Sequence, residues 1–285
     1  MGPFSRCLRS GRVMVGFAIV ATVLLCAVFA PLLAPHDPGE QDLLSILLPP
    51  AWVDGGNPAF PLGTDSLGRC ELSRLLYGAR TAMTVAIFAS LGAMLIGSIL
   101  AHIAGYFGGA LDWIIGRIVD VWMSFPPVIL SLVLMVGLGI GVDKVILAIV
   151  LVDWTRFCRV LRSEVLVVKQ RDYVAAARLI GFSHWQTITR EVLPATLPLL
   201  ITLLSLEMGI AVVVEAILSF VGLGVGPDQT AWGQMIADAR QHIYESAGGV
   251  FFPILAIFIT VTGFNLLGDG LRRVLDVRLI NASSR

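Results

Sequence analysis

The sequence is poor in charge. Only 14% of its 285 residues are Asp, Glu, Lys or Arg, and 20 basic residues balance 20 acidic ones. A formal net charge of zero offers no electrostatic attraction for nucleic acid or for an acidic ligand, so no nucleic-acid partner is expected. Cysteine is scarce. Cys7, Cys26, Cys70 and Cys158 are spaced neither as a metal knuckle nor as a redox pair, and they read as packing residues. His36, His102, His184 and His242 are scattered along the chain. There is no Gly-x-x-x-x-Gly-Lys-Ser/Thr loop to cradle nucleotide phosphates. His-Glu-x-x-His, Cys-x-x-Cys and Gly-x-Ser-x-Gly are also missing. No catalytic residue, metal site or cofactor is therefore expected. The chain also has no low-complexity tract, no internal repeat and no stretch that reads as a soluble domain.

What it has in abundance is apolar sequence. Hydrophobic residues make up 56% and the mean hydropathy is +0.86, values typical of a protein embedded in a lipid bilayer. Six apolar stretches, near 13–33, 82–104, 124–141, 143–161, 197–222 and 250–268, predict an all-α polytopic protein with about six transmembrane helices. The first stretch follows Arg6, Arg9 and Arg12 as a signal peptide would. Its run from Val13 to Leu33, roughly 21 residues, is too long for a secretory core and long enough to span. Cleavage near Ala30 is the weaker alternative. The segment 112–123 could extend the third stretch as an amphipathic helix, with Pro126-Pro127 kinking or restarting it.

Charge asymmetry orients the spans. Basic residues collect at the N-terminus, at the C-terminal tail (Arg272, Arg273, Arg278, Arg285) and after the fourth stretch. That fourth-stretch group comprises Arg156, Arg159, Arg162, Lys169, Arg171, Arg178 and Arg190. The segment after the first stretch holds Asp37, Glu40, Asp42, Asp54, Asp65 and Glu71 against Arg69, Arg74 and Arg80. By the positive-inside rule both termini are cytoplasmic, and Ala34–Gly63, rich in Pro, Gly and acids, is an external loop. Two parts are expected: 1–80, one span plus the external loop, and 81–285, a five-span core.

The segment Tyr173–Pro194, YVAAARLIGFSHWQTITREVLP, is charged and amphipathic and lies between two spans. Ala175, Ala176 and Ala177 favour helix and let another surface come close. Gly181 permits a sharp break, and Ser183 can cap a second short helix from about His184 to Glu191. Phe182 and Trp185 would anchor an interface, and Pro194 would end the helix before the fifth span. A generic basic helix on the membrane surface is the plainer reading. However, Ala176, Ala177, Gly181, Leu193 and Pro194 fit the spacing of the Glu-Ala-Ala loop of ABC-importer permeases, on which a partner ATPase docks. Ala175 stands where that pattern has Glu, and Glu191 where it has Ile.

More of the chain is similar to one branch of that family. Pro61–Arg69 (PLGTDSLGR) with Ser73–Arg80 (SRLLYGAR) resembles the region before its second span, although Cys70 replaces the common Asp. Ala104–Gly109, Glu215–Gly224, Trp232–Met235, Phe264–Arg272 and Leu275–Leu279 resemble its later segments. The chain thus resembles permeases that import dipeptides, oligopeptides or nickel, in particular the second of their two permease subunits. The resemblance implies a type I ABC-importer architecture in a bacterial inner membrane. It implies a heterodimer with another permease, two ATP-binding subunits and an extracytoplasmic solute-binding protein. Peptide is the cargo implied first, and nickel or a metal chelate second.

Asp120, Asp153, Glu207 and Glu215 lie in or near predicted spans, where an acid is costly and faces a cavity or a partner charge. The permease reading gives Glu207 and Glu215 pathway-lining or structural roles. A proton-coupled secondary transporter would use them as a relay, but two acids and no inverted repeat weigh against it. A non-transporting scaffold that recruits a soluble protein is a further alternative. The orientation is testable with single cysteines in intact cells. An impermeant thiol reagent should label a cysteine placed at Asn57 and spare one placed at Ser183; the reverse pattern would overturn the topology.

Overall fold

The computed structural model describes residues 10–226 and 228–275. Arg6, Cys7 and Arg9 and the tail residues Asp276, Val277, Arg278, Leu279 and Arg285 lie outside them. The described chain is helical, and the one bridge outside helices joins Thr64 to Cys70. The helices in chain order are α1 (Gly11–Val28), α2 (Glu71–Phe107), α3 (Gly109–Met123), α4 (Pro127–Leu138) and α5 (Val142–Val168). There follow α6 (Asp172–Leu179), α7 (His184–Thr187), a π turn (Ile188–Val192), α8 (Leu193–Phe220), α9 (Trp232–Ala239) and α10 (Gly248–Leu275).

By length and apolarity α1, α2, α10 and the continuous run His184–Phe220 can each cross a membrane. The predicted third span is not a straight helix. α4 has 12 residues, about 18 Å at 1.5 Å per residue, which is too short to cross alone. α3 and α4 together make a fifth candidate, bent by 88°. The break falls at Ser124-Phe125-Pro126, where proline removes backbone donors and disfavours helix in the residue before it. The fourth predicted span is α5, whose many charges take it outside the purely apolar set. Arg156, Arg159 and Arg162, expected at the start of a loop, lie within this helix.

α2 is the hub of the bundle. Ala79, Ala82, Ala86, Ala89, Ala93, Ala101 and Ala104 recur at helical spacing on its buried side. Small side chains let neighbouring helices approach closely where apolar burial supplies no drive between them. One core joins Val85 and Ala89 of α2 to Met135 of α4, Ile149 of α5 and Leu218 of α8. A second joins Met83 to Val212, Trp232, Met235 and Phe264. α1 is tied directly to α10. A Cβ on Gly16 would sit 2.5 Å from the Leu267 backbone nitrogen, so only glycine allows this crossing.

Residues 34–70 form a turn-rich segment folded back on the bundle. Asp65 organises it: in the sequence Gly63 and Gly68 flank a turn, and an Asp between them can bond local backbone amides. Its Oδ1 accepts the backbone N–H groups of Leu67 and Arg69, both at 2.9 Å. Its Oδ2 accepts Nε of Arg69 at 2.7 Å and Nη1 of Arg74. Both arginines also reach Asp238 of α9, at 3.2 and 3.0 Å. The Asp65 and Arg74 side chains are each 3% exposed, whereas Asp238 is 33% exposed. Removing one partner of a buried pair strands the other charge and costs about 3–5 kcal/mol, while a half-exposed pair contributes far less. Arg74→Met is therefore expected to lower the thermal midpoint of the purified protein sharply, and Asp238→Asn to lower it slightly. Equal small shifts would contradict this assignment.

Candidate functional site

Two features outside the apolar packing carry functional character: the polar segment between α5 and α8, and the charges inside the bundle.

The polar segment is a helix, a sharp break, a second helix and a continuous entry into α8. The break is a Schellman arrangement. Phe182 N–H donates to Ala177 O, and Gly181 N–H donates to Arg178 O, both at 3.1 Å. Gly181 sits at φ +99°, which a side chain would strain. The next helix opens with a capping box. Ser183 Oγ accepts the Gln186 N–H at 3.3 Å, and Gln186 Oε1 accepts the Ser183 N–H at 2.9 Å. Both the break at Gly181 and the cap at Ser183 lie where the residue types place them.

Two expectations are corrected. Pro194 does not end the helix. The π turn places the Leu193 N–H on Ile188 O, five residues back. Proline at the first turn of α8 then lacks only a donor that needs no partner, and the helix runs through to Phe220. Ala177 does not face outward either. It is 5% exposed, on the inner side of α6 with Val174, because a period of 3.6 turns it away from Ala175 and Ala176. Of the other expected contact residues, Ala176, Gly181, Trp185 and Pro194 are exposed, Leu193 is partly so, and Phe182 is half-buried. Leu179 and Ile180, just before Gly181, were not singled out by the spacing. They are the most exposed apolar residues of the segment, at 88% and 75%, beside Trp185 at 63%. Two aliphatic residues directly before a helix-ending glycine are the signal that could have found them, since the apolar contact of such a stop uses only residues flanking it.

The segment is braced against the end of α2. Lys169 Nζ donates to Gly105 O at 2.6 Å, which suits the negative end of the α2 dipole. His184 lies edge-on to Tyr106, with Nδ1 3.3 Å from its hydroxyl, and Trp185 meets Phe107 edge-on at 6.1 Å. Arg190 lies over the Phe182 ring at 5.8 Å.

Within the bundle, α5 presents an arginine every third residue, each bonded to an acid on another helix. Arg162 makes a two-point contact with Asp112 of α3, and Arg159 reaches Asp120 of α3 at 2.6 Å. Arg156 Nη1 reaches both Glu207 oxygens of α8, at 3.1 and 3.3 Å. Asp153 and Glu207 are each 3% exposed. Glu215 is fully buried and accepts the Ser219 hydroxyl of its own helix at 2.6 Å, while its second oxygen finds no partner among the described residues. Glu207 and Glu215 thus have separate partners. The acids were legible as intramembrane charges, whereas the arginines that pair with them were read as loop residues. A cleft of about 290 Å³ opens between α3 and α5, lined by Asp112, Arg117, Asp120, Arg159 and Arg162.

The chain is similar to proteins of one kind along nearly its whole length. The family described as "Binding-protein-dependent transport system inner membrane component" matches residues 93–281, and "N-terminal TM domain of oligopeptide transport permease C" matches residues 4–50. The dipeptide transport system permease protein DppC of Escherichia coli is 41% identical over 271 residues, 95% of this chain and 90% of its own. The di/tripeptide transport system permease protein DppC of Pseudomonas aeruginosa is 37% identical over 268 residues, 94% and 88% of the two chains. The glutathione transport system permease protein GsiD of Pectobacterium atrosepticum is 36% identical over 277 residues, 96% and 89%. In fold the chain is similar to a chain of the MetNI methionine ABC transporter in an inward-facing conformation. The TM-score is 0.59 at 19% sequence identity, over 70% of this chain and 95% of that one.

Proposed function

Since this chain belongs to the family of binding-protein-dependent transport system inner membrane components, we propose that it is the second permease subunit of an ATP-driven importer of short peptides. The observation that carries the reading is identity of 36–41% to the peptide and glutathione permeases, sustained over more than nine-tenths of the chain. Dipeptides, tripeptides and glutathione differ in their side chains but share charged ends, so the cargo class is small zwitterionic peptides.

In this reading the chain pairs with a second, similar permease around a shared pathway in the bacterial inner membrane, with both its termini in the cytoplasm. Residues 1–80 add a span and an outer segment to the core 81–285. A solute-binding protein delivers peptide at the outer face. Of two ATP-binding subunits, one docks on the Tyr173–Pro194 segment, where Leu179, Ile180 and Trp185 give an apolar contact and Ala176 lets the partner come close. Gly181 sets the angle between the two short helices, and the run His184–Phe220 carries the ATPase motion into the membrane. The π turn Ile188–Val192 keeps that run unbroken through Leu193 and Pro194. Glu207 holds α8 to α5, and Glu215 has a structural place inside α8, bonded to Ser219 of the same helix. The chain supplies no ATPase chemistry; hydrolysis belongs to the partner subunits.

Two measurements test this. Ala176→Asp puts an unpaired charge into the contact, and Gly181→Pro cannot adopt φ +99°. Each is expected to leave the chain in the membrane and to reduce co-purification of the ATPase by about tenfold or more, equivalent to 1.4 kcal/mol. Wild-type recovery of the ATPase in both variants would contradict the docking role. Separately, the chain alone in vesicles should neither hydrolyse ATP nor accumulate dipeptide. Both activities should appear with the second permease and the ATPase subunits, and rise with loaded binding protein. Uptake driven by a proton gradient without ATP would refute the reading.

A further inference from the structure

Arg156 is in an unusual place. It lies near the midpoint of α5, opposite Glu207 near the midpoint of α8, yet its side chain is 34% exposed. A guanidinium at that depth cannot face hydrocarbon without a cost of several kcal/mol. Its open side must therefore meet water, a partner chain or a solute. The cation is also held in position from behind. Nη1 bonds both oxygens of Glu207, and Nη2 stands 3.9 Å from Asp153, too far for a hydrogen bond and free to donate elsewhere. Asp153 and Glu207 both lie against this guanidinium, one from its own helix and one from α8. The two acids are almost wholly buried, so only the guanidinium is offered to a solute.

This differs from the other two α5 arginines. Arg162 is engaged by Asp112 through both Nε and Nη2, and Arg159 pairs with Asp120 at an exposed position beside Arg117. Arg156 alone combines mid-helix depth, fixed geometry and a spare forked donor, the arrangement that recognises a carboxylate.

We infer that Arg156, positioned by Glu207 and Asp153, is a binding point in the translocation pathway for the α-carboxylate that ends a transported peptide. The inference rests on the peptide-import reading and deepens it: a contact to the terminus is blind to side chains, and so suits a pathway that must pass many sequences. The contact is a single fork on a cation already paired with Glu207, which suits transient binding.

The test uses the complete reconstituted transporter with its binding protein. Uptake of a dipeptide and of its C-terminal amide is followed at concentrations that load the binding protein equally. Arg156→Gln should slow uptake of the free acid by about tenfold, the worth of one charge-assisted contact, and leave the amide nearly unchanged. ATP hydrolysis stimulated by the binding protein should persist, and Arg156→Lys, which keeps the cation, should recover much of the loss. Because Arg156→Gln strands two buried acids, Arg156→Gln with Glu207→Gln is made as well; it keeps hydrogen bonding in place of charge and should show the same loss of discrimination. Wild-type uptake in the double variant, equal slowing of acid and amide, or loss of the second permease on purification would each overturn the inference, the last by making Arg156 a subunit contact. If the unaltered transporter takes up no peptide at all, the peptide-import reading falls and takes this inference with it.

Discussion

A charge cannot rest unpaired in an apolar bundle, and α5 carries three arginines in succession at helical spacing. Much of the arrangement answers that demand. Arg162 and Arg159 require α3 alongside, with Asp112 and Asp120 two turns apart on one face. α3 is thereby committed to its lie against α5, and the chain must turn by 88° at Ser124-Phe125-Pro126 before α4 can rejoin the apolar core through Met135. Arg156 requires α8, and Glu207 locks α5 and α8 side by side near the middle of both. Each pair joins different helices, so charge here specifies which neighbours meet, while the alanine stripe of α2 decides how closely.

The two ends of the bundle are closed by different means. At the end holding residues 34–70, a buried carboxylate gathers two arginines and two backbone amides into one network that reaches α9. At the end holding the segment between α5 and α8, the clasp is aromatic and dipolar: Tyr106 and Phe107 against His184 and Trp185, with Lys169 on the last carbonyls of α2. The first is buried and rigid. The second leaves Leu179, Ile180 and Trp185 bare, so the same local structure that anchors the segment also displays it.

What was legible in the sequence was what depends on neighbours in the chain. The break at Gly181, the cap at Ser183, the turn around Asp65 and the kink at Pro126-Pro127 follow from residue type within a few positions, and the structure has each of them. The helical course of all six apolar stretches was legible too. What was hidden depends on partners distant in sequence. Arg156 and Glu207 are 51 residues apart, and nothing local marks them as a pair. A short window cannot tell an arginine near the end of a span from one inside a longer helix, so α5 was cut short. Pro194 shows the complementary failure. Proline is a sound stop signal for an α-helix, but a wider turn just before it absorbs the missing donor, and that wider turn has no signature of its own.

That wider turn has a mechanical consequence. Because the helix does not stop at Pro194, the 37 residues His184–Phe220 form one rod, about 55 Å long at 1.5 Å per residue. Its first turn carries Trp185 on the outside of the protein, and Glu207, paired with Arg156 of α5, lies about two-thirds of the way along it. A rod held there is a lever with a long arm of about 35 Å toward Trp185 and a short arm of about 20 Å toward Phe220. Tilting it by about 10° moves the Trp185 end by about 6 Å and the Phe220 end by about 3 Å in the opposite direction. Motion at one face of the bundle therefore appears at the other with its sense reversed: what closes at one end opens at the other.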